Sequence, residues 1–109
     1  MSYYTINLDK ARNLKYGMRA IDLIEKKFKK PVMQIEGLQS GVLSMDDYAT
    51  LIWAGLVHED KDLTPEKVMD LIDEHSSLTV VSKEMWVAFN EAFADDEEEK
   101  EVASEGKNE

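Results

Sequence analysis

Ser44–Glu74, SMDDYATLIWAGLVHEDKDLTPEKVMDLIDE, decides the fold. It reads as helix, acidic elbow, helix. Ser44 is an N-cap, and Asp47 three residues on completes a capping-box spacing. Thr64 caps a second helix, with Pro65 at its first position and Glu66 behind it. Tyr48, Ala49, Ile52, Trp53 and Leu56 recur at helical spacing. In the second helix Val68, Leu71 and Ile72 face inward, with Met69 flanking them. The pattern predicts helices over Met45–Val57 and Pro65–His75. Gly55 lies inside the first at a cost of about 1 kcal/mol relative to Ala, which points to a close helix–helix approach.

The segments on either side extend the same architecture. Gly17–Lys30 is predicted to be a helix with an apolar stripe of Met18, Ile21, Ile24 and Phe28, stopped by Pro31. Asp22 and Lys26 form an i,i+4 pair on its other face. Pro31–Leu43 is a connector broken by Gly37 and Gly41. Met33–Leu38 is expected to make a turn or two of helix, and Val32, Met33, Ile35 and Leu38 to fold back on the core. A last helix over Leu78–Ala94 carries Leu78, Val81, Met85, Phe89 and Ala92, with Trp86 and Phe93 alongside. At the N-terminus Tyr4, Ile6 and Leu8 alternate, as do Arg12, Leu14 and Tyr16. That pattern predicts a short hairpin turning at Asp9-Lys10, against the alternative of one strand running into a helix near Ala11. The fold class is mainly α: a small bundle of about four helices with a short N-terminal β-hairpin or strand. It forms a single domain over residues 1–94, followed by a disordered acidic tail over 95–109, whose first residues can extend the last helix because Glu and Lys are good helix formers.

Charge is unevenly placed. The 109-residue chain has a net charge of −10. Lys10–Lys30 carries +6, Pro31–Ala94 carries −9 and Asp95–Glu109 carries −6. The overall sign disfavours nucleic acid and anionic membranes as partners. The basic segment is either a solvated face or a surface for an acidic partner, the chain's own tail included, within one molecule or between subunits. Cys is absent, which excludes disulfides and thiolate metal sites and fits a reducing compartment. There is no apolar run of the ~20 residues a membrane span needs, nor a signal-peptide layout, so an intracellular soluble protein is expected.

Chemistry finds little purchase. His58-Glu59-Asp60-Lys61-Asp62 lacks the second His of a zinc-protease helix. Counted from Asp60, Pro65 and Leu71 stand where a calcium loop needs Gly and Glu. The elbow therefore reads as a solvated acidic loop ahead of a helix N-terminus. No nucleophile motif and no phosphate-binding loop is present, so no catalytic residue, cofactor or metal site is expected. Tyr48, Trp53, Trp86, Phe89 and Phe93 are either core or a partner surface, and their helical spacing favours the core. Six Met residues supply adaptable packing, for a core or for a tolerant groove.

YTINL followed by LKYGMRAIDLIEKKFKKP resembles the N-terminal part of the tail assembly chaperones of long-tailed bacteriophages and prophages. LIWAGLVHEDKDLTPEKVMDLIDE is similar to the middle of that family, and VSKEMWVAFNEAF to its closing helix. The resemblance implies a non-enzymatic protein of the host bacterial cytoplasm, made during virion assembly and absent from the finished particle. It would bind the tape measure protein, help recruit tail tube protein, and act as a homo-oligomer. Family members are often made in two forms by ribosomal frameshifting, and by the resemblance this chain would be a short form. Arg12, Lys15, Arg19, Lys26, Lys29, Trp86, Phe89 and Phe93 are the candidate partner-binding residues. The alternatives are a small acidic regulatory or inhibitory protein mimicking nucleic acid, a helical adaptor, and a calcium-dependent module.

Overall fold

The computed structural model describes residues 4–105, with side chains described to Phe93. The expected tail over Asp95–Glu109 lies outside the side chains so described. The chain is mainly α with an N-terminal β-hairpin. β1 (Tyr4–Asn7) and β2 (Ala11–Leu14) lead into α1 (Met18–Phe28). A 3-10 turn (Val32–Gln34) and a short α2 (Glu36–Ser40) follow, then α3 (Met45–Leu56), α4 (Pro65–His75) and α5 (Leu78–Glu105). The hairpin reading holds over the single-strand alternative.

The caps form as the sequence dictates. Ser44 Oγ accepts the Asp47 N–H at 3.1 Å, and Thr64 Oγ1 accepts the Lys67 N–H at 3.1 Å. α3 is the hub: it packs against β2, α1, α4 and α5, while α5 also covers β1. Leu51, Ile52 and Leu56 of α3 are fully buried with Leu14, Ile24, Val68, Val81 and Met85. Burial of this apolar set is the main driving force, at about 25 cal/mol for each Å² removed from water.

The hairpin pairs antiparallel with Tyr4 opposite Leu14 and Ile6 opposite Arg12. Ile6, Leu14 and the following Tyr16 are therefore on the face that meets the helices, and all three are buried. Gly55 does permit a close approach, but the neighbour is Tyr16 together with Leu14, where the sequence suggested a helix. A Cβ at Gly55 would lie 2.8 Å from Tyr16 Cζ and 3.0 Å from Leu14 Cδ2. Through that gap the buried Tyr16 hydroxyl donates to the Leu51 carbonyl at 2.7 Å. Burial pushes the Tyr16 phenol well above its ordinary range, so it stays a protonated donor.

Four expectations need correction. Met18 does not join the α1 stripe: it is 91% exposed, and Ala20 and Ile24 are the buried residues of α1. Met18 is the first residue of the helix and lies off the packed face that Ala20 and Ile24 occupy. Met33 is 67% exposed, whereas Ile35 is buried and Val32 and Leu38 pack on the core. α1 ends at Phe28, before the influence of Pro31, because Lys29 adopts the left-handed conformation at φ 62°. α5 runs beyond Ala94 to Glu105, consistent with the helix-forming Glu and Lys there.

Two substitutions test this packing. Gly55→Ala gains helix propensity, but the new methyl meets Tyr16 and Leu14 below van der Waals distance. A net loss of about 1–3 kcal/mol is expected in urea unfolding. Lys29→Gly removes the left-handed penalty at a helix C-cap and is expected to raise stability by about 0.5–1 kcal/mol in the same assay.

Candidate functional site

Three surfaces carry the functional candidates: the elbow with β2, a basic cavity, and an apolar groove. The elbow is largely exposed, as its composition suggests, but several of its side chains are engaged by the hairpin. β2 is the outer strand of the hairpin on the α3 side, and its free backbone groups need partners. The end of α3 supplies them. Glu59 accepts the Asn13 backbone N–H at 3.1 Å and its side-chain amide at 2.8 Å. His58 Nε2 donates to the Asn13 carbonyl at 2.8 Å, and the Lys15 N–H donates to the Gly55 carbonyl at 2.9 Å.

Arg12 completes this clamp. Its Nε and Nη2 donate to the two oxygens of Asp9, at 2.8 and 2.9 Å, and its Nη1 to Asp60 at 3.2 Å. At 4% exposure it is the buried charged residue among those described. Arg12 is therefore drawn inward as the tie between hairpin turn and elbow, and does not belong to a solvated basic face. Asp60 also accepts the Asp62 N–H at 3.1 Å, and Trp53 Nε1 donates to the Leu63 carbonyl at 2.9 Å, which fixes the elbow's shape.

The clamp sets the charges of its members. Arg12 holds the Asp9 carboxyl below the usual range. The Asp62 N–H, then Arg12, do the same for Asp60. Burial pushes Glu59 up, but the two Asn13 donors outweigh it, and Glu59 also ends low. Asp9 and Asp60, reinforced against burial, keep Arg12 above its already high value.

The remaining basic candidates have separate surroundings. Lys26 pairs with Asp22 at 3.1 Å on an exposed face, as the i,i+4 spacing predicts. Lys29 forms the α1 C-cap. Lys27, not singled out from sequence, lies over the Trp53 ring with its ammonium 5.5 Å from the centroid. Lys15 and Arg19 are brought together with His58 and Lys61 around a cavity of about 580 Å³. Lys61 was hidden from sequence reasoning because it lies over forty positions away from Arg19, inside an acidic run.

The aromatic candidates form one chain of rings. Tyr16 and Phe89 meet edge to face at 5.3 Å, Phe89 and Trp86 at 6.2 Å, and Trp86 and Tyr48 at 6.4 Å, while Phe93 tilts on Phe89 at 5.0 Å. Phe89 is a core residue at 7% exposure, so it supports a surface without being one. Tyr48, Trp86 and Phe93 are half-buried. Beside Tyr48 lies a groove of about 210 Å³ lined by Met45, Ala49, Met69, Ile72 and Leu78, with Asp73 at its edge. Met45 is 59% exposed, and its position in the first turn of a capped amphipathic helix was the available signal for it.

Among the described residues no cluster of His, Asp or Glu could hold a metal ion, and no helix is long and apolar enough to cross a membrane. No protein-family model, curated protein or solved structure matches the chain.

The clamp predicts acid sensitivity. Asp9, Glu59 and Asp60 have depressed folded values, so the unfolded chain takes up their protons first. Their stabilisation is present above the ordinary carboxylate range of about 4 and is lost as pH falls through the lower folded values. The urea midpoint is expected to fall steadily below that range. Asp60→Asn should flatten the slope, and an unchanged slope would assign the acid sensitivity elsewhere.

Proposed function

We propose that this protein is a non-enzymatic tail assembly chaperone of a long-tailed phage or prophage. It acts in the host bacterial cytoplasm, binds the tape measure protein and helps recruit tail tube protein around it. The sequence resemblance suggests the family. The observation that carries the reading is the Met-lined groove between α3, α4 and the start of α5. A client that is a long, aggregation-prone helical polypeptide needs an apolar groove to receive one face of a helix. Unbranched Met side chains adapt to different apolar registers along such a client. The net charge of −10 keeps a complex with an insoluble partner in solution.

The reading places the client on α3, α4 and the start of α5 and leaves the exposed Lys26 and Lys29 outside the contact. Co-expression with the tape measure protein is expected to move that client from the insoluble to the soluble fraction. Met45→Glu adds an acidic residue to the first turn of α3, where helices favour it, and puts a charge on the groove lining. It should leave the fold intact and reduce the soluble client several-fold. A client equally insoluble with and without the unsubstituted chain defeats the proposal.

A further inference from the structure

The basic cavity poses an electrostatic problem in an acidic protein. Lys15, Arg19, Lys61 and His58 line it, and no carboxylate does. The nearest acids are committed elsewhere: Glu59 to Asn13 and Asp60 to Arg12. Among the described residues, Arg19 and Lys61 have no carboxylate within ion-pair distance. The first turn of α1 borders the same space. Its N-cap Gly17 has no capping side chain and the turn has no acid, so the positive end of the helix adds to the field. The cavity also has apolar walls from Leu23, Ala54 and Val57, with the exposed Met18 at hand. The features together call for an anionic partner with some apolar surface.

We infer that this cavity receives the acidic segment Asp95–Glu109 of a second copy of the chain. That segment has eight acidic and two basic residues, a net −6. It also holds Val102-Ala103 between Glu101 and Glu105, a small apolar pair flanked by carboxylates. Cations around apolar walls on one side match carboxylates around an apolar pair on the other. The donor is a second copy because α5 is helical from Leu78 to Glu105. A continuous helix advances about 1.5 Å per residue in one direction and does not turn back toward its own α1. Reciprocal exchange fills both cavities and closes as a two-fold pair.

The test is sedimentation velocity on the full chain without any client, so its outcome is separate from that of the chaperone proposal. Self-association is expected at low salt and should weaken markedly at about 1 M salt, where the Debye length is ~3 Å. Arg19→Glu with Lys61→Glu changes two exposed side chains and is expected to weaken association about tenfold or more with an unchanged circular dichroism spectrum. Should that variant misfold, Glu98→Lys with Glu101→Lys and Glu105→Lys alters the other side of the contact and should weaken association equally. Mixing the two charge-reversed proteins should restore a heteromeric pair. A chain that is monomeric at low salt overturns the inference. So does association indifferent to salt or to both sets of substitutions, and so does a salt-sensitive contact of the tail within a monomer.

Discussion

The absence of a side chain at Gly55 is the constraint on which the rest of the structure depends. It lets the Tyr16 ring lie against α3, and the phenol then reaches the Leu51 carbonyl. Two further contacts follow from that approach. The chain just before Tyr16 comes close enough for the Lys15 N–H to bond the Gly55 carbonyl. The far edge of the Tyr16 ring becomes the seat for Phe89, which brings α5 down on the hairpin. A buried hydroxyl without a partner would cost about 1–3 kcal/mol, so Tyr16 is tolerable in the core only because the helix backbone is within reach. One glycine thus couples the N-terminal hairpin, the central helix and the last helix.

The elbow solves a second problem created by the same geometry. A two-stranded hairpin has unpaired backbone groups on both sides and is marginal by itself. Here β1 is covered by α5, while the outer side of β2 meets side chains in place of another strand. Glu59 and His58 act as the missing strand's acceptor and donor toward Asn13. The residues that looked like a metal or calcium loop are thus occupied in closing a sheet edge. Their depressed carboxylate values have a structural origin, in bonds to Asn13, Asp62 and Arg12, and not in tuning for acid–base chemistry.

Arg12 shows how the sequence could be read in two ways. By charge it belonged to the basic segment, and that counting placed it on the surface, either solvated or facing an acidic partner. By parity it belonged with Leu14 and Tyr16, whose alternation marked the buried side of the strand, and parity prevailed. A guanidinium can follow an apolar pattern when carboxylates from a turn and a loop meet it at the sheet end, as Asp9 and Asp60 do. The helices were legible because capping and the 3.6-residue period are local signals: α4 matches its expected bounds, and α3 ends one residue early. Met18 was misplaced because periodicity gives a face but not how far the neighbouring element extends, and Met33 because apolar composition in a connector does not say which side chains turn inward. The cavity was only half legible. Lys15 and Arg19 stood out in the basic segment, but Lys61 reaches them only through the turn after α3.

The same helix organises both proposed contacts. Met45 and Ala49 line the apolar groove near the start of α3, and Ala54 borders the basic cavity near its end. Nine residues separate Met45 from Ala54, about 14 Å along the axis at ~1.5 Å per residue. The two surfaces share no lining residue. A client in the proposed groove and a neighbouring copy at the proposed cavity would therefore use different lining residues. A pair joined through the cavities would carry two grooves on one assembly. A long helical client engaging both gains from effective concentration without any new contact, so pairing would raise client affinity even though the paired surface never touches the client. Salt would then weaken client binding indirectly, by dissolving the pair, while the apolar groove itself is insensitive to screening.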